Sequence, residues 1–278
     1  MSTLDRAAAP QKNSENNLGP LAELQGTWVG NGFNMIAVPN KQNNSIFRLI
    51  VNATTENLAF SATGLVPNRG SQQGDISIFG LTYLQQVSDT TTNEAIHVEP
   101  GIWLNVPATS APKDPSTIVR QSTIPHGDSV LAQGKATSED RAPNIALVSP
   151  LPFPMPGQPP LLLGYTDPYL HGQFPPGFSM QNPNQALVDV LNNQQKAGFK
   201  VVKTINLIVD SKNQGGIVNI PFVTVNANAT NLSAIFWIET VQRPNGTQFM
   251  QLQYTQTVLL EFDGVVWPHV SVATLIKR

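Results

Sequence analysis

Gln248-Phe249-Met250-Gln251-Leu252-Gln253-Tyr254-Thr255-Gln256-Thr257-Val258-Leu259-Leu260 is the stretch on which the fold turns. Met250, Leu252, Tyr254 and Val258 fall on one face, while Gln251, Gln253, Thr255 and Thr257 fall on the other. Only Gln256 interrupts the apolar side. Successive side chains of a strand point to opposite faces, so this alternation predicts a half-buried antiparallel strand. Just upstream, Asn245-Gly246 separates it from an apolar run at 233–242, the strongest short-range signal for a hairpin. Downstream, Trp267-Pro268-His269-Val270-Ser271-Val272-Ala273-Thr274-Leu275-Ile276-Lys277-Arg278 alternates again. It predicts a last strand with His269 at its mouth, on the face shared with Ser271, Ala273 and Leu275.

Working outward, strand-like runs occupy 45–52, 56–63, 75–86, 96–106, 117–124, 129–134, 199–210 and 217–226. Pro67-Asn68-Arg69-Gly70 reads as a turn. Residues 142–178 are dense in proline, which cannot donate to a ladder, so this segment is expected to be irregular and to lie against the body of the protein. One helix is well signalled: Asn182-Pro183 offers a cap and a first-turn proline, Ala186, Leu187, Val190 and Leu191 follow at helical spacing, and Gly198 supplies the stop. Residues 1–18 read as a polar, disordered leader. Residues 19–278 read as a single all-β domain, with 142–198 a proline-rich insert plus one short helix. Closing such a meander of antiparallel strands into a barrel removes its edges.

The composition bounds the function. Charged residues are 12% of the 278 residues, against about a quarter in ordinary globular proteins. The net charge of −2 and the lack of a Lys/Arg cluster argue against nucleic acid, whose phosphates need local positive charge. No apolar run is long enough for a spanning helix. The absence of cysteine excludes disulfides, thiolate nucleophiles and zinc–thiolate sites. The polar N-terminus has no secretory pattern, which makes a cytoplasmic location the default expectation. A small-molecule ligand is the expected partner, and a homodimer is allowed.

Gly26-Thr27-Trp28 resembles the Gly-x-Trp signature of calycins. Four segments in order are similar to the nitrobindin-like haem-binding family and its bacterial fatty-acid-binding-like relatives: Leu21 to Gly30, Ile96 to Trp103, Thr123-Ile124-Pro125-His126-Gly127 running on to Gly134, and Leu252-Gln253-Tyr254 with Pro268 to Leu275. The resemblance implies an antiparallel calycin-like β-barrel with haem b in its mouth, His269 as the iron ligand, and chemistry on nitric oxide, peroxynitrite or peroxide such as peroxynitrite isomerisation. Nitrobindins are shorter, the insert has no counterpart in them, and His126 stands where the bacterial relatives more often carry arginine.

The residues themselves leave several readings open. His269 is a candidate axial ligand, or a strand-end histidine bonded to a carbonyl. His126 with Asp128 is a candidate general acid–base pair, or a polar turn. His97 and Glu99 share a strand face and either line the interior or form a hydrogen-bonded pair without chemistry. Trp28, Trp103, Trp237 and Trp267 could wall a flat cofactor, or fill barrel ends. His171, in the insert, is expected to be exposed. Besides the haem reading, the barrel could hold a lipid, terpenoid or other apolar molecule without metal, as a binding protein or as an enzyme. The enzyme reading requires the acid–base side chains to converge on one cavity.

Overall fold

The computed structural model describes residues 17–278 apart from residue 163. All but the last two residues of the expected leader lie outside this range. The strands are β1 (Gly26–Asn40), β2 (Ser45–Asn68), β3 (Ile76–Asp89), β4 (Ala95–Val106), β5 (Thr109–Ser110), β6 (Lys113–Asp114), β7 (Thr117–Ile124), β8 (Asp128–Glu139), β9 (Phe153–Pro154), β10 (Lys200–Asp210), β11 (Gly216–Asn219), β12 (Asn228–Gln242), β13 (Gln248–Phe262) and β14 (Val265–Lys277). Ten of them follow one another around a closed antiparallel barrel in the order β1-β2-β3-β4-β7-β8-β10-β12-β13-β14, and β14 returns to pair with β1. The architecture is calycin-like. No strand of the ring is left with an open edge, which is the physical gain of closure.

Alternation decides what goes inside. Leu252, Tyr254 and Val258 of β13, Ala273 and Leu275 of β14, and Phe236 and Ile238 of β12 point into the barrel. The Asn245-Gly246 hairpin joins β12 to β13 as expected, with Gly246 at φ 87°. The runs at 45–52 and 56–63 are one continuous strand, β2, which is long enough to pair with β1 on one side and β3 on the other.

One expectation fails locally. The run at 217–226 is a strand only at its start: β11 ends at Asn219, and a short helix, Pro221–Asn226, follows. Pro221 sits in its first turn, where a missing N–H costs nothing and the fixed φ favours a helix. The strongly signalled helix spans Gln185–Lys196, and Gly198, at φ 82°, ends it. A further short helix, Asp167–His171, lies within the insert.

The barrel has two hydrophobic cores, one inside and one outside. The inner core gathers Trp28, Trp103, Leu81, Phe236 and Leu275, and the 3-10 helix Gly19–Leu24 adds Leu21 and Leu24 at the end where β1 begins. The outer core lies between the insert and the outward face of the barrel. Tyr169, Met180 and Leu187 of the insert pack there against Met35, Trp237, Trp267, Val270 and Val272. The insert thus covers the polar side of β13, where Gln251 and Gln253 are fully buried rather than facing solvent. Their amides are used: Gln253 Nε2 donates to the Leu187 carbonyl at 3.1 Å and to Thr274 Oγ1 at 2.8 Å, and Gln194 Nε2 donates to Gln251 Oε1 at 2.6 Å.

Candidate functional site: a polar-walled cavity at the open end

Opposite the plugged end, the barrel encloses a cavity of about 520 Å³, within the usual range for small-molecule sites. Aliphatic side chains make up most of its wall, among them Ile36, Ile50, Val87, Ile124, Val258 and Leu260. Set into this wall are Asn34, Glu56, Gln85, His97, His126, Asp128, Tyr254, Gln256 and His269. Three of the chain's four histidines therefore meet at one cavity. The fourth, His171, is exposed on the insert.

The topology explains the convergence. His97 sits near the start of β4, Asp128 starts β8, and His269 lies in the first half of β14, so all three occupy the same end of the barrel. His126 lies in the tight turn between β7 and β8, at the rim. Gly127 beside it has φ 115°, and a Cβ there would come within 2.6 Å of Ile220, so glycine lets the 220–226 segment close against this turn. The His97 and His126 rings lie 5.8 Å apart between centroids.

Beneath the cavity runs a layer of buried polar groups. Arg120 Nη2 donates to Glu99 Oε1 at 2.6 Å, Arg120 Nε to the Tyr83 hydroxyl at 3.0 Å, and Arg120 Nη1 to Gln256 Oε1 at 2.6 Å. The Tyr83 hydroxyl in turn donates to Glu99. The guanidinium also faces the rings of Tyr83, Trp103 and Phe236 at 5.5 to 5.9 Å. Gln256, the one polar interruption on the inward side of β13, is thus the acceptor for a buried arginine. Beside this group, Glu56 accepts from Tyr254 at 2.6 Å, Gln85 at 3.3 Å and Thr54 at 3.0 Å.

These surroundings set the charges. Burial opposes ionisation of Glu99, but the Arg120 guanidinium, His97 and the Tyr83 hydroxyl outweigh it and hold its carboxyl well below the usual range. Glu56, without a cation of its own, is pushed up by burial against its hydrogen bonds, and Asp128 is raised in the same way. Asp128 Oδ1 has no hydrogen-bond partner. Burial, with His97 and His126 opposite, pushes His269 down to about 3, so its imidazole is neutral at ordinary pH.

Two tautomers follow from the partners. Glu99 is ionised and can only accept, so His97 Nε2, 3.2 Å from Glu99 Oε2, carries the proton and Nδ1 is left as a base. His269 Nε2 lies 2.7 Å from Asn34 Oδ1, which also accepts the Ser271 hydroxyl at 3.0 Å; here too Nε2 carries the proton. The wall can therefore accept a proton at His97, with the Glu99 carboxylate, itself held by Arg120, facing the imidazolium that forms.

The structure brings together His97, His126, Asp128 and His269. It does not bring the tryptophans with them. Trp28 and Trp103 are buried in the inner core at the plugged end, and Trp28 Nε1 donates to the Leu24 carbonyl at 2.7 Å. Trp237 and Trp267 lie in the outer core, with Trp267 stacked on Phe262 at 5.0 Å. Glu56, Gln85, Tyr254, Gln256 and Arg120 were missed by sequence reasoning; the lone glutamine inside an apolar alternation was the one available sign. Among the described residues, no group of three or more His, Asp or Glu side chains is gathered to hold a bare metal ion.

Fold and site together define a class: a calycin-like ten-stranded antiparallel barrel, plugged at one end and hollow at the other. No family model matches the chain, and no curated protein matches it. Among solved structures it is similar to the crystal structure of Rv2717c from M. tuberculosis, at 14% identity and a TM-score of 0.46, over 98% of this chain and 99% of that one. Among the described residues, no helix is long and apolar enough to cross a membrane.

Proposed function

We propose that the protein binds an apolar small molecule, without a metal, in the open end of its barrel and presents a proton-exchanging wall to it. The observation that carries this reading is the convergence of His97, His126, Asp128 and His269 on one mainly aliphatic cavity of about 520 Å³. The aliphatic wall supplies affinity, at about 25 cal/mol for each Å² removed from water. The polar groups orient the bound molecule. His97, backed by Glu99 and Arg120, is the general base, and His126 beside Asp128 is the second acid–base group, placed at the rim where ligand passes.

A neutral, apolar, environment-sensitive dye such as Nile red tests the reading directly. Binding to one site with enhanced fluorescence is expected, and Val258→Trp, which fills the cavity, abolishes it. An absent response in the wild-type protein overturns the reading. Native mass spectrometry of freshly purified protein checks it independently through a co-purifying lipid or terpenoid.

Haem held by His269 is the second reading, and one observation favours it: a neutral imidazole in a cavity wall is what an iron ligand must be. The donor set otherwise fits poorly. His269 Nε2 is engaged by Asn34, two carboxyl side chains line the cavity, and no lysine or arginine does. No step is therefore derived through haem. A Soret band that is lost in His269→Ala would establish this reading over the first.

A further inference from the structure

We infer that the cavity selects apolar molecules whose polar end is an amine and rejects the corresponding carboxylic acids. This inference rests on the binding reading above and assigns its ligand class.

The argument is one of charge placed in an apolar enclosure. Six titratable side chains face the cavity: Glu56, Asp128, His97, His126, Tyr254 and His269. Arg120 is the only buried basic side chain among the described residues, and it lies beneath the floor rather than in the wall. Its guanidinium is spent on Glu99, Tyr83 and Gln256. A fatty carboxylate entering this space would meet no free cation. It would meet two acids instead, and like charges in a poorly solvated site repel strongly.

An ammonium group meets the opposite situation. Asp128 lines the cavity beside the rim turn that carries His126; its Oδ1 is buried without a partner, so an incoming donor would be met through Oδ2. Glu56 already accepts three hydrogen bonds from Thr54, Gln85 and Tyr254, which leaves it little capacity for another donor. Asp128 is therefore the first contact for an N–H donor, and Glu56 is a second carboxyl group in the same wall. The neutral ring of His269, whose Nδ1 is free to accept, extends the set of acceptors. With the aliphatic wall around them, these acceptors suit an alkyl or terpenoid amine.

Decylamine, decanol and decanoate, which share one tail, are titrated against the Nile red complex at pH 7.5. Decylamine is expected to displace the dye at least tenfold more tightly than decanoate, with decanol between them. Asp128→Asn is expected to narrow that gap to less than threefold while the thermal transition of the protein is retained. Should that variant not fold, Glu56→Gln is expected to reduce the gap in the same direction. Equal or tighter displacement by decanoate overturns the amine assignment but leaves the binding reading intact. An absence of dye binding overturns both.

Discussion

The same ten strands build both ends of the barrel, yet the two ends are different materials. At the plugged end the inward positions are Trp28, Trp103, Leu81 and Leu275, sealed by Leu21 and Leu24 into one buried cluster. At the open end the inward positions of the same strands are Asn34, His97, Asp128 and His269 around an enclosed space. Between the two lies the Arg120–Glu99–Tyr83 layer. A strand has one inward face, so a change of residue type along that face converts a packed core into a polar-walled hollow without altering the backbone.

The dividing layer gives the largest expected effect. Arg120→Leu leaves Glu99 buried without its cation, and a broken buried pair costs toward the upper end of roughly 3–5 kcal/mol. Arg120→Leu with Glu99→Gln should recover most of that loss, because the uncompensated charge is then gone. Urea unfolding of the three proteins checks it. A double variant as unstable as the single one would mean that the layer acts by packing alone and does not separate the ends electrostatically.

Trp28→Ala at the plugged end comes next, with a loss of roughly 3–4 kcal/mol in the same assay. It removes a fully buried indole and the hydrogen bond to Leu24. The tryptophan lies away from the cavity, so dye binding by the fraction that remains folded should keep its wild-type affinity. A large loss of affinity would show that the two ends are coupled.

Glu239 sharpens the comparison from outside the barrel. It is fully buried under the insert, bonded by Gln251 at 2.5 Å with its other oxygen unpartnered, and burial raises it to about 8. The folded state thus holds a proton that the unfolded state releases near pH 4.5, so stability falls as pH rises from about that value through about 8. Glu239→Gln should remove this slope and stabilise the protein by several kcal/mol, up to about 5, at pH 9, with little change below pH 5. His269, lowered to about 3, works in the opposite direction: its contribution is present above its ordinary value and is lost as pH falls below it. Thermal melts across pH 4 to 9 separate the two.

The sequence made these regions legible to different degrees. Period-two alternation in β13 and β14 and the Asn245-Gly246 hairpin disclosed the barrel, because a half-buried strand writes its two environments directly into residue order. Cavity residues were legible where they were rare, hence the histidines and Asp128. Tyr254 and Glu56 were not, since a tyrosine or glutamate inside an alternating strand looks the same whether it faces a cavity or water. The buried state of Gln251, Gln253 and Glu239 was hidden for a related reason. A polar outer face normally meets solvent, and only the long-range docking of 142–198 buries it. The tryptophans misled because size and flatness suit both a cofactor wall and a barrel plug, and the local sequence does not say which end of the strand is hollow.

The smallest expected effect tests the hollow end itself. Val258 is half-buried and faces the cavity, so Val258→Ala enlarges a space that is already there instead of opening a new one. The cost of a truncation grows with the volume of new cavity left behind, and here one side of the side chain already borders an open space. The change in stability should be less than about 1 kcal/mol, well below that of Trp28→Ala. Dye affinity, in contrast, should fall measurably, because the removed methyl groups are part of the binding wall. A stability loss as large as at Trp28 would mean that the open end is packed in solution as tightly as the plugged one, and the contrast between them would disappear.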